Sequence, residues 1–367
     1  MAILVFLLIL FVLVLVHEWG HFIVAKKSGI RVDEFGIGFP PKLFGVRKGE
    51  TEYTLNLLPI GGFVRIYGEN AEDAVMDAKE GKDISRSFVA KGKWQQAAVL
   101  VAGVTMNILF AWLLFAVALG VGMKTVVEES AATDSAVMIV TDVLHQSPAE
   151  AAGLTPGAEI IAVSVGEAAL TTVTPTAFSA FIGAHGNEEV MLTYRAGGET
   201  HTTTVIPTQG IITDAPTQTA IGTRLVLTEV VSQSFMNAII ESAVLTATSL
   251  RDIIVGLGSL LADALHHEAD FSQIAGPVGI VGLVGEASAF GLASLLMFTA
   301  FISLNLAVIN LLPFPALDGG RLLFVAIEAI KGSPINPVWA ARLNIIGFFI
   351  LILLMVAVTY NDIIRML

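Results

Sequence analysis

The run Ile3-Leu-Val-Phe-Leu-Leu-Ile-Leu-Phe-Val-Leu-Val-Leu-Val16 passes directly into His17-Glu-Trp-Gly-His21 and then into Phe22-Ile-Val-Ala25. Its first fourteen residues carry no polar side chain. A helix needs about 20 such residues, at 1.5 Å each, to cross a bilayer, and this segment supplies them. Two imidazoles and a carboxylate at that depth are costly, and ionisable groups inside a span mark a functional site. The spacing is H-E-x-x-H, which stacks His17 and His21 on one helix face, one turn apart, with Glu18 beside them. That pattern is a pair of metal ligands with a general base, and it points to hydrolysis within or at the edge of a membrane.

Composition agrees with a membrane protein. Of 367 residues, 54% are hydrophobic and only 14% charged, well outside the range of soluble domains. The absence of cysteine excludes disulfides and thiolate ligands. No basic region precedes the first apolar run and no small-residue cleavage site precedes His17, so a retained helix is expected rather than a signal peptide. Residues 124–290 hold four basic and eighteen acidic side chains. Such an acidic stretch argues against nucleic acid and marks a water-soluble module.

Four spans are predicted, at residues 1–25, 96–123, 290–312 and 342–361. The loop 26–95 holds 12 of the 20 basic residues, and Arg321, Lys331 and Arg342 follow the third span. The positive-inside rule places both loops in the cytoplasm, with the termini and the acidic module outside. Residues 235–268, inside a linker at 211–289, are predicted helical. Glu241, Arg251 and Asp252 interrupt the apolar face, so this helix is expected to lie on the outer membrane surface. The predicted fold is therefore an α-helical polytopic membrane protein carrying a β-hairpin and an inserted α+β domain.

In the module, Ser147-Pro-Ala-Glu-Ala-Ala-Gly-Leu154 reads as a short helix and a glycine turn. Alternating strands follow at Glu189–Tyr194 and His201–Ile206. The run resembles a PDZ domain, placed at 130–210, a fold that receives an extended peptide as an added strand; the alternative is a small β-rich domain of other use. The first loop predicts a hairpin over 32–67, with strand Thr51–Leu58 interrupted by Pro59 and Gly61-Gly62. A hairpin so apolar is expected either to dip into the membrane interface and offer an edge to an unwound substrate, or to pack on the helix ends.

Catalytic zinc takes three protein ligands. The third candidate is Asp318, in Asn310-Leu-Leu-Pro-Phe-Pro-Ala-Leu-Asp-Gly-Gly-Arg321 at the end of the third span. Pro313 and Pro315 stop that helix, and Gly319-Gly320 permits tight turns. His17 lies ~20 Å along the first span, so both ends meet at one depth. Asn107, Asn305 and Asn310 are lone amides among apolar neighbours, suited to an oxyanion or to interhelical hydrogen bonds. His145, His185, His201, His266 and His267 read as solvated residues, and Trp19 as packing.

These residues together resemble the site-2 protease family of intramembrane zinc metalloproteases, closest to the bacterial regulator-of-sigma-E protease type. The likeness runs through His17-Glu-Trp-Gly-His21, Phe35-Gly-Ile-Gly-Phe39, Pro59-Ile-Gly-Gly-Phe63, Ala102-Gly-x-x-x-Asn107, the PDZ-like module, Gly276-Pro-Val-Gly-Ile280 and the Asp318 motif. The resemblance implies zinc on His17, His21 and Asp318, water activation by Glu18, and a substrate path lined by Asn107, Asn305 and Asn310. Gly61, Gly62, Pro313 and Pro315 join those amides as substrate-binding candidates. It also implies single-span membrane substrates, often anti-sigma factors, a location in the bacterial cytoplasmic membrane, and a PDZ module that screens substrates by size. Val104 stands where the family often has proline, and one PDZ module replaces the two of some members. Two other readings compete: a membrane zinc carrier, which would spread its ligands along a route and show internal repeats, and an inactive peptide-binding scaffold, which would not need Glu18.

Overall fold

The computed structural model describes residues 1–69, 76–77, 80, 83–133, 135–212, 215–266 and 275–366; His267 lies outside them. Helix α1 (Ala2–Lys27) leads to a hairpin of β1 (Val32–Lys48) and β2 (Thr51–Ile66), then to α2 (Lys93–Val121). Next come β3 (Met123–Val127), β4 (Val137–Val143), the single turn α3 (Pro148–Ala151), β5 (Glu159–Val165) and β6 (Ala168–Ala169). Helix α4 (Pro175–Ala184) and strands β7 (Val190–Ala196), β8 (Glu199–Val205) and β9 (Thr223–Val231) complete the module. Five helices follow: α5 (Phe235–Leu265), α6 (Pro277–Ala289), α7 (Leu292–Leu311), α8 (Asp318–Lys331) and α9 (Pro337–Met366).

Among the described residues five helices, α1, α2, α5, α7 and α9, are long and apolar enough to cross a bilayer. The sequence predicted four and laid α5 on the membrane surface. In the structure α5 is one continuous helix with Ser242, Thr246 and Ser249 buried. Its Leu245 and Ile253 pack on Ala111, Phe115, Ala300 and Leu304. Small side chains on one face let a helix approach its neighbours closely, while Glu241, Arg251 and Asp252 stay exposed on the rest of its surface. By length and composition α5 is a fifth candidate beside the four predicted spans.

The contacts divide the chain into two compact units. The first holds residues 1–116, 239–284 and 296–367. Here the hairpin packs on α1 through aromatic rings: Phe22 and Phe35 meet at 5.2 Å, and Trp19 and Phe35 at 6.1 Å. Strand β2 carries the interruption predicted at Pro59 and the glycine pair: Glu34–Ile37 of β1 pair both with Glu52–Leu55 and with Gly62–Arg65, so β2 turns back between those stretches. Gly61 makes this possible with a positive φ of 76°. A Cβ on Gly62 would come to 2.8 Å from the Gly36 carbonyl oxygen, so the paired strand leaves no room for a side chain. Beyond these residues the hairpin exposes Phe39, Leu43, Phe44, Leu57 and Leu58.

At the hairpin turn Glu50 accepts from Arg86 (2.6 and 2.9 Å) and from Lys26 (2.7 Å). These cations, Arg86 first, hold its carboxyl down at about 2 against a usual 4.5. A depressed carboxylate stabilises the fold fully above its unfolded value and loses that contribution as pH falls. Glu50→Gln is thus expected to lower folding stability at neutral pH by about 0.2–1 kcal/mol after solvent screening, seen as an earlier thermal midpoint. Thermal scans of both proteins should converge as pH drops from 4.5 towards 2; a gap that persists at the acid end would refute the assignment.

Helix α9 is exposed along most of its length, and the Asp362 near its end is buried. The Asp362 carboxylate accepts from the amides of Gly276 (3.0 Å) and Gly279 (2.8 Å), capping the start of α6. A Cβ at Gly276 would lie 2.6 Å from Asp362 Oδ2, which accounts for that glycine.

The second unit covers residues 117–238 and 285–295. Its antiparallel sheet has the order β3-β9-β4-β5-β7-β8, with β6 on β5. Met138, Val140, Ile160, Val163, Leu192 and Leu227 of the sheet enclose a core with Phe178 and Ile182 of α4. Ser147 caps α3 by accepting from the Glu150 amide (3.3 Å), and Glu150 returns a carboxylate to the Gln146 amide (2.6 Å), a reciprocal cap. The sheet extends past both ends of the 130–210 range read from the sequence. Strand β9 returns to lie second in the sheet, with β4 on one side and the edge strand β3 on the other, where Val127 faces Leu227 and Met123 faces Val231.

Candidate active site

Helix periodicity carries His17, Glu18 and His21 to one side of α1, where the imidazoles meet edge to face at 4.7 Å. His21 Nδ1 lies 2.8 Å from the Val99 carbonyl. A carbonyl only accepts, so the ring proton sits on Nδ1 and Nε2 offers a lone pair. That Nε2 is 3.1 Å from His17 Nε2. Asp318 Oδ2 stands 3.0 Å from the first imidazole's Nε2 and 3.2 Å from the second's.

Gly103 on α2 makes room for both rings. A Cβ there would come to 2.7 Å from His17 Cε1 and 2.8 Å from His21 Cε1, and would overlap His21 Nε2. Asp318 is delivered by a break in the helices. Helix α7 ends at Leu311, Phe314 turns back onto the Leu312 carbonyl (2.7 Å), and Ala316 takes a positive φ of 77°. The Ala316 amide donates to Asn344 Oδ1 at 3.2 Å, and Gly347 lets α9 approach Pro315 closely. Gly319 and Gly320 pass so near the carbonyls of Leu311, Leu312 and Phe314 that no side chain would fit. Asp318 then opens α8, where the helix dipole favours a carboxylate.

Glu18 lines a cavity of about 190 Å³ with Val14, His17, Leu306, Asn310 and Asp318. The Val64 amide of β2 donates to Glu18 Oε2 at 3.1 Å, so one carboxylate oxygen is fixed by the hairpin. Asn107 is fully buried, its Nδ2 3.3 Å from His17 Nδ1. Asn310 Nδ2 is 3.5 Å from His17 Nε2. Asn305 is not part of this group: it is exposed and bonds its own helix at Phe301 (2.9 Å). Gly61 rests on Val14, one turn before His17, with Gly62 against Gly36. Pro313 and Pro315 shape the break without lining the cavity. His145 pairs with Glu150, His185 bonds the Phe181 carbonyl and His201 stacks on Tyr194, all in the second unit.

Sequence reasoning missed Val64, Val99, Ser303 and Asn344, and named Gly103 only as part of the Ala102-Gly-x-x-x-Asn107 motif. Val64 and Val99 act through the main chain, which leaves no mark on residue type. Gly103 had a signal, a small residue four before Asn107.

The three donor atoms lie within 4.8 Å of one another. A tetrahedral zinc with bonds of ~2.0–2.1 Å spaces its ligands about 3.3 Å apart, and the separations here are 3.0, 3.1 and 3.2 Å. Two imidazoles and a carboxylate are also the donor set of a catalytic zinc site. The residues fit that ion.

Residues 5–354 match the model of peptidase family M50. The chain is 37% identical over 356 residues to a candidate zinc metalloprotease of Clostridium perfringens, covering 96% of this chain and 95% of that one. It is 29% identical over 437 residues to the regulator of sigma-W protease RasP of Bacillus subtilis, covering 100% and 99%. The zinc metalloprotease RasP of Oceanobacillus iheyensis is 28% identical over 434 residues, covering 98% of each. With the match running through almost every element described above, the chain belongs to peptidase family M50.

Proposed function

We propose that the protein is a zinc endopeptidase that cuts single-span membrane proteins within or at the edge of the bilayer, with zinc held by His17, His21 and Asp318. The observation that carries this is the meeting of those three side chains at 3.0–3.2 Å beside Glu18. When bound, zinc supplies a Lewis acid that acidifies water and polarises the scissile carbonyl. Glu18 takes the proton of the attacking water and passes it to the leaving amine. The Val64 amide holds one oxygen of Glu18 still, leaving the other for that exchange. The Val99 carbonyl keeps His21 in the tautomer that presents Nε2.

A peptide bond within a helix has its carbonyl already bonded, so the substrate must unwind. The hairpin beside Glu18 suits an extended segment, and its exposed apolar residues suit an interface with lipid. Convergence on one cluster disfavours a carrier, which would distribute its ligands. The second unit is read as PDZ-like: the start of β9 and α4 border a cavity of about 430 Å³. Residues Leu227–Val231 of β9 are already paired with β3, so an added strand would meet only the first half of β9. The basic hairpin loop is assigned to the cytoplasm and this unit to the outside of a bacterial cytoplasmic membrane. RasP of Bacillus subtilis is named for a sigma factor, and the corresponding substrate class here is a membrane-anchored regulator.

The test is zinc content and cleavage of a single-span reporter by the full chain and by Asp318→Ala. The variant is expected to keep less than about a tenth of the zinc and to cut nothing, since a catalytic site needs three ligands. Equal zinc occupancy in both proteins would reject Asp318 as a ligand and, with it, this reading of the site.

A further inference from the structure

Asn107 was assigned by resemblance to the substrate path, yet its surroundings give it a different task. It is 0% exposed and absent from the cavity that Glu18 lines. Its side chain faces the back of His17, with Nδ2 3.3 Å from Nδ1. Its Oδ1 is buried without a hydrogen-bond partner. The residue is also pinned between helices, because Ser303 on α7 donates to its main-chain carbonyl at 2.8 Å.

The proton inventory decides what this contact does. An Nδ2–H donor makes His17 Nδ1 the acceptor and puts the ring proton on Nε2, the atom facing Asp318. A protonated Nε2 donates to Asp318 Oδ2 at 3.0 Å but has no lone pair for a metal. Turning the amide end for end exchanges two atoms of nearly equal size. Oδ1 then accepts Nδ1–H, the ring proton moves to Nδ1, and Nε2 becomes a donor atom. His21 already has this arrangement, with the Val99 oxygen behind its Nδ1. Metal-binding histidines ordinarily give their second N–H to such an oxygen.

We propose that Asn107 is a positioning residue for His17: its side-chain oxygen accepts the Nδ1 proton and holds the imidazole in the tautomer that offers Nε2 to zinc. The inference rests on the zinc site proposed above. Asn107→Leu removes the acceptor at similar volume, whereas Asn107→Asp keeps it. In the full-length protein in detergent, zinc affinity is read by competition with a chelating dye, and site geometry by the visible absorption of bound cobalt. Unfolding midpoints of the metal-free proteins check that each variant folds.

Asn107→Leu is expected to weaken zinc binding by about 10–100-fold and to alter the cobalt spectrum, while Asn107→Asp stays close to wild type in both. A residue that only donates to substrate would leave the zinc affinity of Asn107→Leu unchanged, and that result overturns the proposal. Equal losses in the two variants overturn it as well, because the acceptor would then not be what matters. Asp318→Ala separates the two levels: if it too binds zinc like the wild type, the zinc site itself is wrong.

Discussion

The Glu18→Gln variant is expected to bind zinc as the wild type does and to cleave a single-span reporter roughly 10²–10⁴-fold more slowly, the range a positioned general base contributes. Glutamine has the shape of glutamate and keeps an oxygen for the Val64 amide, now 3.1 Å from Oε2. The contact between hairpin and helix therefore survives. His17, His21 and Asp318 are untouched, so metal content should hold. What disappears is the capacity to take a proton. Zinc analysis beside a cleavage time course reads both quantities from one preparation. Cleavage within a factor of a few of wild type would remove Glu18 as the base.

A single methyl group is expected to do comparable damage from another direction. In Gly103→Ala the new Cβ would stand 2.7 Å from His17 Cε1 and 2.8 Å from His21 Cε1, closer than real Cβ contacts come. His21 has no free retreat, since its Nδ1 is held by Val99. Moving α2 away instead would open the packing of Val99 and Leu100 against Ala25 and Ile30. Zinc affinity should fall at least ~100-fold, the upper end of what outer groups around a metal contribute, with cleavage falling in parallel. Wild-type zinc binding by Gly103→Ala would mean that the rings do not occupy this space when the ion is held.

Residues that reveal themselves by chemical type were legible in the sequence. His17, Glu18, His21 and Asp318 are polar groups in or beside apolar runs, and the structure sets donor atoms of His17, His21 and Asp318 within 4.8 Å of one another. Less legible was anything defined by a partner far along the chain. The polar stretch between β8 and β9 reads as a linker because it lacks periodicity, yet β9 pairs on both edges with strands that precede it by dozens of positions. Helix α5 was read from its charges, while its packing face is built from Ser242, Thr246 and Ser249, which a count of apolar residues passes over. Asn305 and Asn107 looked alike in sequence. Only three dimensions separate an amide bonded to its own helix from one behind a histidine.

Within the first unit, helix α9 touches its neighbours near two places, the Pro315–Ala316 break and the start of α6. Gly347 and Asp362 are ~22 Å apart along its axis, and Phe348, Phe349, Leu353 and Met355 between them face outward. The middle of this rod depends on whatever amphiphile surrounds it. Extraction into a short-chain detergent would bow it and slacken the turn that presents Asp318. Zinc lost during purification would then report the solvent rather than the strength of the site, and thickness-matched nanodiscs are the medium in which affinity should be measured.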